Sequence, residues 1–153
     1  MLQSPAAANR PTQPVLTTIY LALGSNLGDR EALLNEAIER LRVEQIETVR
    51  RSTIIETAAA YVLDQPHFLN MVIEAQTEHF AFELLNRIQK VETEMGRQKT
   101  IDKGPRNIDI DILHFDELTL QTPHLTLPHP LIHERPFVLI PLAELRTGLY
   151  PKK

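Results

Sequence analysis

Residues 107–115 read NIDIDILHF, and this stretch decides how the sequence can fold. Ile and Asp alternate along it, so an extended chain carries Ile on one face and Asp109 and Asp111 on the other. A period of two residues is typical of a strand, because successive side chains point to opposite faces of a sheet. The stretch therefore predicts a strand with one face in the core and one face that presents carboxylates.

Three segments nearer the N-terminus also have the composition of strands. Residues 18–23 (TIYLAL) are short, β-branched and apolar, and they run into a turn that begins at Gly24. Residues 46–57 and 69–77 are rich in Ile, Val and Thr, and a long loop at 58–68 separates them. We predict a strand in each of these three segments, since β-branched residues favour a pleated, half-buried surface.

Two helices are predicted between these strands. The first follows a capping Asp29 and has one apolar stripe from Leu33 to Leu41; the second spans 81–95 and ends at Gly96. The order strand, helix, strand, strand, helix, strand predicts an α+β fold with a ferredoxin-like antiparallel sheet and both helices on one face. A short hairpin and a last helix near 137–145 are expected to follow.

Composition limits the function classes. The 153 residues, 42% of them hydrophobic, fit a single domain at 17–150 behind a loose tail at 1–16. A formal charge of −4 argues against a nucleic-acid partner, and the sequence has no cysteine for disulfides or thiolate metal sites. Because no apolar run is long enough for a membrane span, we expect a cytoplasmic protein with no membrane partner. We also expect a monomer.

Asp109 and Asp111 form the first candidate site. Side chains two residues apart on a strand leave the same face, with Cα atoms roughly 6.5 to 7 Å apart. Two carboxylates this close repel each other, and Mg²⁺ together with phosphate oxygens would offset that repulsion. A plain solvated strand face remains the alternative, since alternation is common on half-exposed strands.

A basic segment leads directly into this pair. Residues 97–106 contain four cations and only one acidic residue, Asp102, in an acidic protein; the cations are Arg97, Lys99, Lys103 and Arg106. Polyphosphate with magnesium needs cations for its oxygens and carboxylates for its metals, although a solvated loop would look the same alone. The sequence contains neither GxxxxGK[ST] nor a kinase GxGxxG motif, so phosphate binding must come from side chains.

Residues 103–113 (KGPRNIDIDIL) resemble the basic-Gly-Pro-Arg-x-x-Asp-aliphatic-Asp motif of the hydroxymethyldihydropterin pyrophosphokinases. The segments 24–28 (GSNLG), 64–70 (DQPHFLN) and 127–130 (LPHP) agree in order and spacing, and the resemblance spans 18–145. It implies an enzyme of folate biosynthesis that transfers diphosphate from ATP to the hydroxymethyl group of 6-hydroxymethyl-7,8-dihydropterin and releases AMP.

The resemblance also implies residue roles. Two Mg²⁺ ions would be bound by Asp109 and Asp111. The catalytic set would be Arg97, Lys99, Arg106, Asp109 and Asp111. The ATP-binding set would be Gln89, Glu92, Arg106, Ile112, Thr126, His129 and Arg135. The pterin-binding set would be Thr57, Ala59, Ala60, Phe68, Asn70 and Phe137.

Two other classes of protein share parts of this pattern. A ferredoxin-like module can bind nucleic acid, but the acidic balance and the lack of an aromatic strand motif weigh against it. Another magnesium-dependent nucleotidyl or glycosyl transferase could also use an Asp-x-Asp strand. The product formed from ATP distinguishes these hypotheses, because among them only the diphosphate transfer to pterin yields AMP.

Overall fold

The structure, a computed structural model, describes residues 15–58, 65–96 and 107–146. Its elements, in chain order, are β1 (Thr17–Ser25), α1 (Arg30–Val43), β2 (Ile46–Arg51), β3 (Ile55–Thr57), β4 (Phe68–Thr77), α2 (Ala81–Glu94), β5 (Asp109–Phe115), β6 (Leu120–Gln121), β7 (Thr126–Leu127), a 3-10 turn (Ile132–Glu134) and α3 (Pro136–Leu145). In the part of the chain so described, no helix is both long enough and apolar enough to cross a membrane.

The main sheet has the strand order β2-β4-β1-β5, with β3 paired to β4 beyond the end of β2. All neighbouring strands are antiparallel. This is the ferredoxin-like α+β arrangement predicted from the order of strands and helices, and β6 and β7 form the predicted hairpin. Gly96 follows the C-cap of α2 with a φ of +81°, a left-handed conformation that suits glycine and ends the helix as expected.

The strand predicted at 46–57 is interrupted, so that prediction is wrong in one detail. Residues 52–54 lie outside β2 and β3. At Ser52 the hydroxyl oxygen accepts the backbone N–H of Val72 at 2.9 Å, while the Ser52 N–H donates to the Val72 carbonyl at 2.8 Å. A side-chain oxygen therefore replaces a backbone acceptor, and β2 ends here without leaving the Val72 N–H unpaired.

The sheet is covered on both faces. On one face, α1 and α2 bury Leu34 and Leu84 against Ile19 and Leu21 of β1, all with no exposed surface. On the other face, α3 packs its apolar side chains on Val72 and its neighbours. The two predicted long helices thus share one face, and α3 lies on the opposite one.

A bulge in β5 shapes the α3 face. Tyr20 pairs with His114 and Leu21 with Ile112, which leaves Leu113 as an extra residue outside the ladder. Leu113 belongs to the α3 core, and its carbonyl accepts the backbone N–H of His129 at 2.9 Å. The bulge thereby anchors the segment after β7 beside the strand that carries Asp109 and Asp111.

Candidate active site

A cleft of about 560 Å³ opens on the α3 face of the sheet. Its floor comes from β4, β1 and β5. Its walls come from β3, the segment 129–131 and the first turn of α3, and Leu85 and Gln89 of α2 line it as well. The cleft forms at this end of β1 because the residues on its α3 face there, Ala22 and Gly24, have a small side chain or none between the two neighbouring strands.

Gly24 is the centre of the floor. It pairs with Asn70 on β4 and with Asp109 on β5, so one strand separates these two polar residues. A Cβ atom at Gly24 would lie 3.2 Å from the Asn70 Oδ1 and 3.4 Å from a ring carbon of Phe68. The missing side chain therefore keeps the floor open and lets Asn70 and Phe68 approach β1.

The carboxylates of Asp109 and Asp111 are half-buried on the floor. A guanidinium nitrogen of Arg135 lies 3.8 Å from the Asp111 Oδ2. From α2, the buried Glu92 accepts the backbone N–H of Ile110 at 2.8 Å, between the two aspartates. That bond fixes the strand from the edge, so both carboxylates keep a defined spacing.

His129 lies beside the aspartates, and its pKa is lowered. Burial is the main cause and the positive charge of Arg135 adds to it, while Asp109 acts in the opposite direction. The Nδ1 atom accepts the backbone N–H of Leu131 at 3.1 Å, so in the neutral ring the proton sits on Nε2. The cleft thus holds a neutral hydrogen-bond donor next to a carboxylate pair.

The other end of the cleft is aromatic and amide-lined. Phe68 and Phe137, which are 69 positions apart in the sequence, both line it, and the Arg135 guanidinium lies 5.9 Å from the Phe137 ring centroid. Asn70 donates a hydrogen bond of 2.8 Å to the Thr57 hydroxyl. A flat heterocycle fits such a surface, since rings cover its faces and an amide reads its polar edge.

The segment that leads into Phe68 is held by the turn between β1 and α1. The Asn26 amide donates to the Gln65 side chain at 2.9 Å and to the Pro66 carbonyl at 3.0 Å. Arg30 donates to the His67 carbonyl at 2.9 Å. Three consecutive residues before Phe68 are therefore fastened to one turn.

The model for the 7,8-dihydro-6-hydroxymethylpterin-pyrophosphokinase family matches residues 20–147. The chain belongs to this family. It is 46% identical to the 2-amino-4-hydroxy-6-hydroxymethyldihydropteridine pyrophosphokinase of Bacillus subtilis, over 82% of this chain and 76% of that protein. The enzyme of the same name from Aquifex aeolicus is 43% identical, over 88% and 83% of the two chains. The resemblance inferred from the motif at 103–113 is confirmed, and with it the pyrophosphokinase class in folate synthesis.

Larger proteins contain the same unit. The mitochondrial folate synthesis bifunctional protein of Pisum sativum is 44% identical over 83% of this chain, which spans 25% of that protein. The fold resembles the Plasmodium falciparum HPPK-DHPS crystallised with pterin and p-hydroxybenzoate, with a TM-score of 0.66 over 87% of this chain and 40% of that one, at 14% identity. In both proteins the part that resembles this chain is one part of a longer chain.

Most residues expected from the family resemblance and described by the structure meet in the cleft. These lining residues are Thr57, Phe68, Asn70, Gln89, Asp109, Asp111, His129, Arg135 and Phe137. Three expected ATP contacts, Glu92, Ile112 and Thr126, do not line it: Glu92 supports β5, Ile112 packs in the helix-side core, and Thr126 lies in the small hairpin. Ala59, Ala60, Arg97, Lys99 and Arg106 lie outside the described residues.

The sequence alone does not indicate a role for Asn26, Gln65 or Arg30. Asn26 and Gln65 lie within the matching segments 24–28 and 64–70, and the position of a polar residue directly after a strand and before a helix cap was the available signal. No local sequence pattern indicates the contacts of Arg30, because its partners Glu56 and His67 are distant in sequence.

The donor set fits magnesium. Across the described residues, no group of three or more His, Cys, Asp or Glu side chains is placed to hold a metal. Mg²⁺ does not require one, because it is usually held by one or two carboxylates, with substrate phosphates and water completing six ligands. Asp109 and Asp111, facing a cleft opposite small residues of β1, match that requirement.

Proposed function

We propose that this chain transfers diphosphate from ATP to the hydroxymethyl group of 6-hydroxymethyl-7,8-dihydropterin, with Mg²⁺ bound at Asp109 and Asp111. The observation that carries this proposal is the floor of the cleft, where Asn70 and Asp109 flank Gly24 on neighbouring strands. A heterocycle site and a carboxylate pair about two strand spacings apart, roughly 10 Å, suit a pterin whose hydroxymethyl arm reaches toward a metal-bound polyphosphate.

The reaction needs positioning more than covalent chemistry. The hydroxymethyl oxygen attacks the β-phosphorus of ATP, and the bond from that phosphorus to the bridging α-phosphate oxygen breaks. AMP leaves with that oxygen, and the hydroxyl proton passes to water. Mg²⁺ bound at the aspartates would neutralise phosphate charge. The chain contributes by holding the two substrates in line, which can supply roughly 7 to 11 kcal/mol of the barrier.

The described residues divide this work. We assign Phe68 and Phe137 to stacking on the pterin faces, and Asn70, held by Thr57, to reading the pterin edge. Arg135 and the Nε2 proton of His129 bind phosphate oxygens beside the aspartates. Arg97, Lys99 and Arg106 complete the set as cations that stabilise the migrating charge, and Gln89 contacts the nucleotide.

The experiment that tests the function is product analysis. Purified protein is incubated with Mg²⁺, ATP and 6-hydroxymethyl-7,8-dihydropterin, and the nucleotides are separated by ion-exchange chromatography. AMP should accumulate in a one-to-one ratio with a pterin diphosphate, and neither should form when the pterin is omitted. Formation of ADP, or of inorganic pyrophosphate with a nucleotidylated acceptor, would assign the cleft to a different transferase.

A further inference from the structure

We propose that Arg30 is a positioning residue for the pterin side of the cleft, acting through the backbone of His67. This role rests on the proposed function, since it names the residue that places one ring of the stacking pair. Arg30 is the first residue of α1, directly after the capping Asp29, whose side chain accepts the Ala32 N–H at 3.3 Å. Its backbone is therefore fixed by the helix start.

One guanidinium nitrogen of Arg30 joins two strands. The Nη1 atom donates to the Glu56 Oε2 on β3 and to the His67 carbonyl before β4, each at 2.9 Å. Glu56 directly precedes Thr57, and His67 directly precedes Phe68. Arg30 thus ties together the residues next to the two cleft residues that form the last pair of the β3–β4 ladder, Thr57 and Phe68.

In the part of the chain that the structure describes, the end of the β3–β4 ladder at Thr57 and Phe68 has few other contacts from β3 to stabilise it. β3 has only three residues, and among the described strands it pairs with β4 alone. The Arg30 and Glu56 side chains are 29% and 52% exposed, so the charge attraction by itself is screened by water. The bond to the His67 carbonyl is different, because it fixes backbone next to Phe68.

Arg30 and Asn26 divide the task. Asn26 holds Gln65 and Pro66, and Arg30 holds His67, so the end nearest Phe68 depends on Arg30. The guanidinium also lowers the pKa of the Glu56 carboxyl through a direct hydrogen bond, which keeps Glu56 ionised as the second anchor. Without Arg30, the backbone at His67 loses its side-chain donor.

The test compares Arg30→Met with a matched control, Arg51→Met. Arg51 also joins a strand to α1, through a hydrogen bond of 3.0 Å to Asn35, but neither Arg51 nor Asn35 is next to a cleft residue in the sequence. Calorimetry should show the pterin Kd of Arg30→Met raised about tenfold, the scale of one lost hydrogen bond to a charged group, with the Mg²⁺–ATP Kd unchanged. Arg30→Lys, which keeps a donor, should recover part of that loss, and Arg51→Met should bind pterin as the wild type does.

A second readout does not depend on the ligand. Amide hydrogen exchange at Leu69 and Asn70 should be faster in Arg30→Met than in the wild type and in Arg51→Met. If the wild type binds pterin and Arg30→Met binds it equally well, or if Arg51→Met loses as much affinity, the positioning role is wrong while the proposed function stands. If the wild type itself binds no pterin, the proposed function fails, and unchanged exchange would then overturn the positioning role independently.

Discussion

Asp109 and Asp111 occupy successive cleft-facing positions of β5, and replacing either carboxylate tests the metal site directly. Asp109→Asn and Asp111→Asn should each lower the rate of AMP formation by about 100-fold or more, since even residues that only support a metal ligand change activity roughly 10- to 100-fold. The fold should persist, because removing one of two neighbouring like charges relieves repulsion in the metal-free protein.

The measurement is a steady-state rate at saturating Mg²⁺, with a thermal melt of each variant. Glu117→Gln serves as the control, since this carboxylate follows the same strand and is 86% exposed. A near-normal rate in either aspartate variant would show that the proposed metal site is wrong. A lowered melting temperature together with lost activity would assign that aspartate a structural role.

His114 makes a second residue-scale prediction, on stability. Burial lowers its pKa from 6.5 to about 4, helped by the positive charge of Arg146 and by His133. The folded state therefore favours the neutral ring, so this contribution to stability is complete above pH 6.5 and is lost as the pH falls toward 4. The melting temperature should decrease over this range by a few degrees more in the wild type than in His114→Leu.

Thermal melts recorded between pH 4 and 6.5 test whether His114 causes part of the loss of stability in acid. His124→Leu is the control, because His124 is exposed and lies in the turn between β6 and β7. Its pH dependence should match that of the wild type. An equally steep fall in His114→Leu would mean that other groups cause the loss of stability in acid.

The site could be predicted from the sequence where the signal was local. Period-two alternation places Asp109 and Asp111 on one face without knowledge of any partner, and the structure has them there. The roles of Gly24 and Leu113 depend on which strands lie beside them. The local sequence around each residue does not indicate which distant strands pair with it. The break at Ser52 has the same cause, since its hydroxyl replaces a backbone acceptor for Val72, a residue of another strand.

At the scale of elements, α3 connects the site to the far end of the sheet. Its first turn carries Phe137, and its last residue, Leu145, offers a carbonyl that accepts a hydrogen bond from Arg50 on β2. Arg50 also pairs with Glu74, which in turn accepts a hydrogen bond from Tyr20 at 3.0 Å. A cation at a helix C-terminus is favourable, so this contact helps to set where the opposite end of α3 lies.

Arg50→Met should lower stability by about 1 kcal/mol, the scale of one cation at a helix C-terminus. It should also weaken the binding of both substrates by a few-fold, because Arg135 and Phe137 move together with α3. Arg51→Met is the control, since Arg51 bonds to Asn35 on α1, on the opposite face of the sheet. Thermal melts and calorimetric titrations measure both effects; unchanged binding in Arg50→Met would show that the N-terminal end of α3 is held without this contact.

The elements were predictable to the extent that their patterns were periodic. α1 and α2 were predicted on one face from their apolar stripes, and both pack there. The face on which α3 lies could not be predicted, because a helix that is apolar over much of its surface does not indicate which side of a sheet it covers. The limits of the tail at 1–16 and of the domain at 17–150 remain predictions.

At the scale of the whole molecule, one face of the sheet contributes most to stability and the other face contributes most to ligand binding. The α1–α2 face holds the larger core, and most residues of the cleft lie on the α3 face, with Leu85 and Gln89 of α2 added at one end. A ligand that binds only the folded protein raises its stability, by about 2.7 kcal/mol at a concentration of 100 times Kd. For a chain of this length, that corresponds to roughly 5 to 10 °C in melting temperature.

The dependence of this stabilisation on magnesium separates metal-assisted binding from simple charge pairing. An ATP analogue with a methylene group between the α- and β-phosphorus cannot transfer diphosphate, so it reports on binding alone. With Mg²⁺ it should raise the melting temperature by the amount above, and with a chelator it should raise it much less, because Asp109 and Asp111 then repel the phosphates instead of sharing a cation with them. In Asp109→Asn the shifts in melting temperature with Mg²⁺ and with the chelator should become similar, because this variant loses both a repelling carboxylate and a metal ligand. An equal shift in the wild type with and without Mg²⁺ would mean that Arg135 and the other cations bind the phosphates unaided, and the aspartates would need another role.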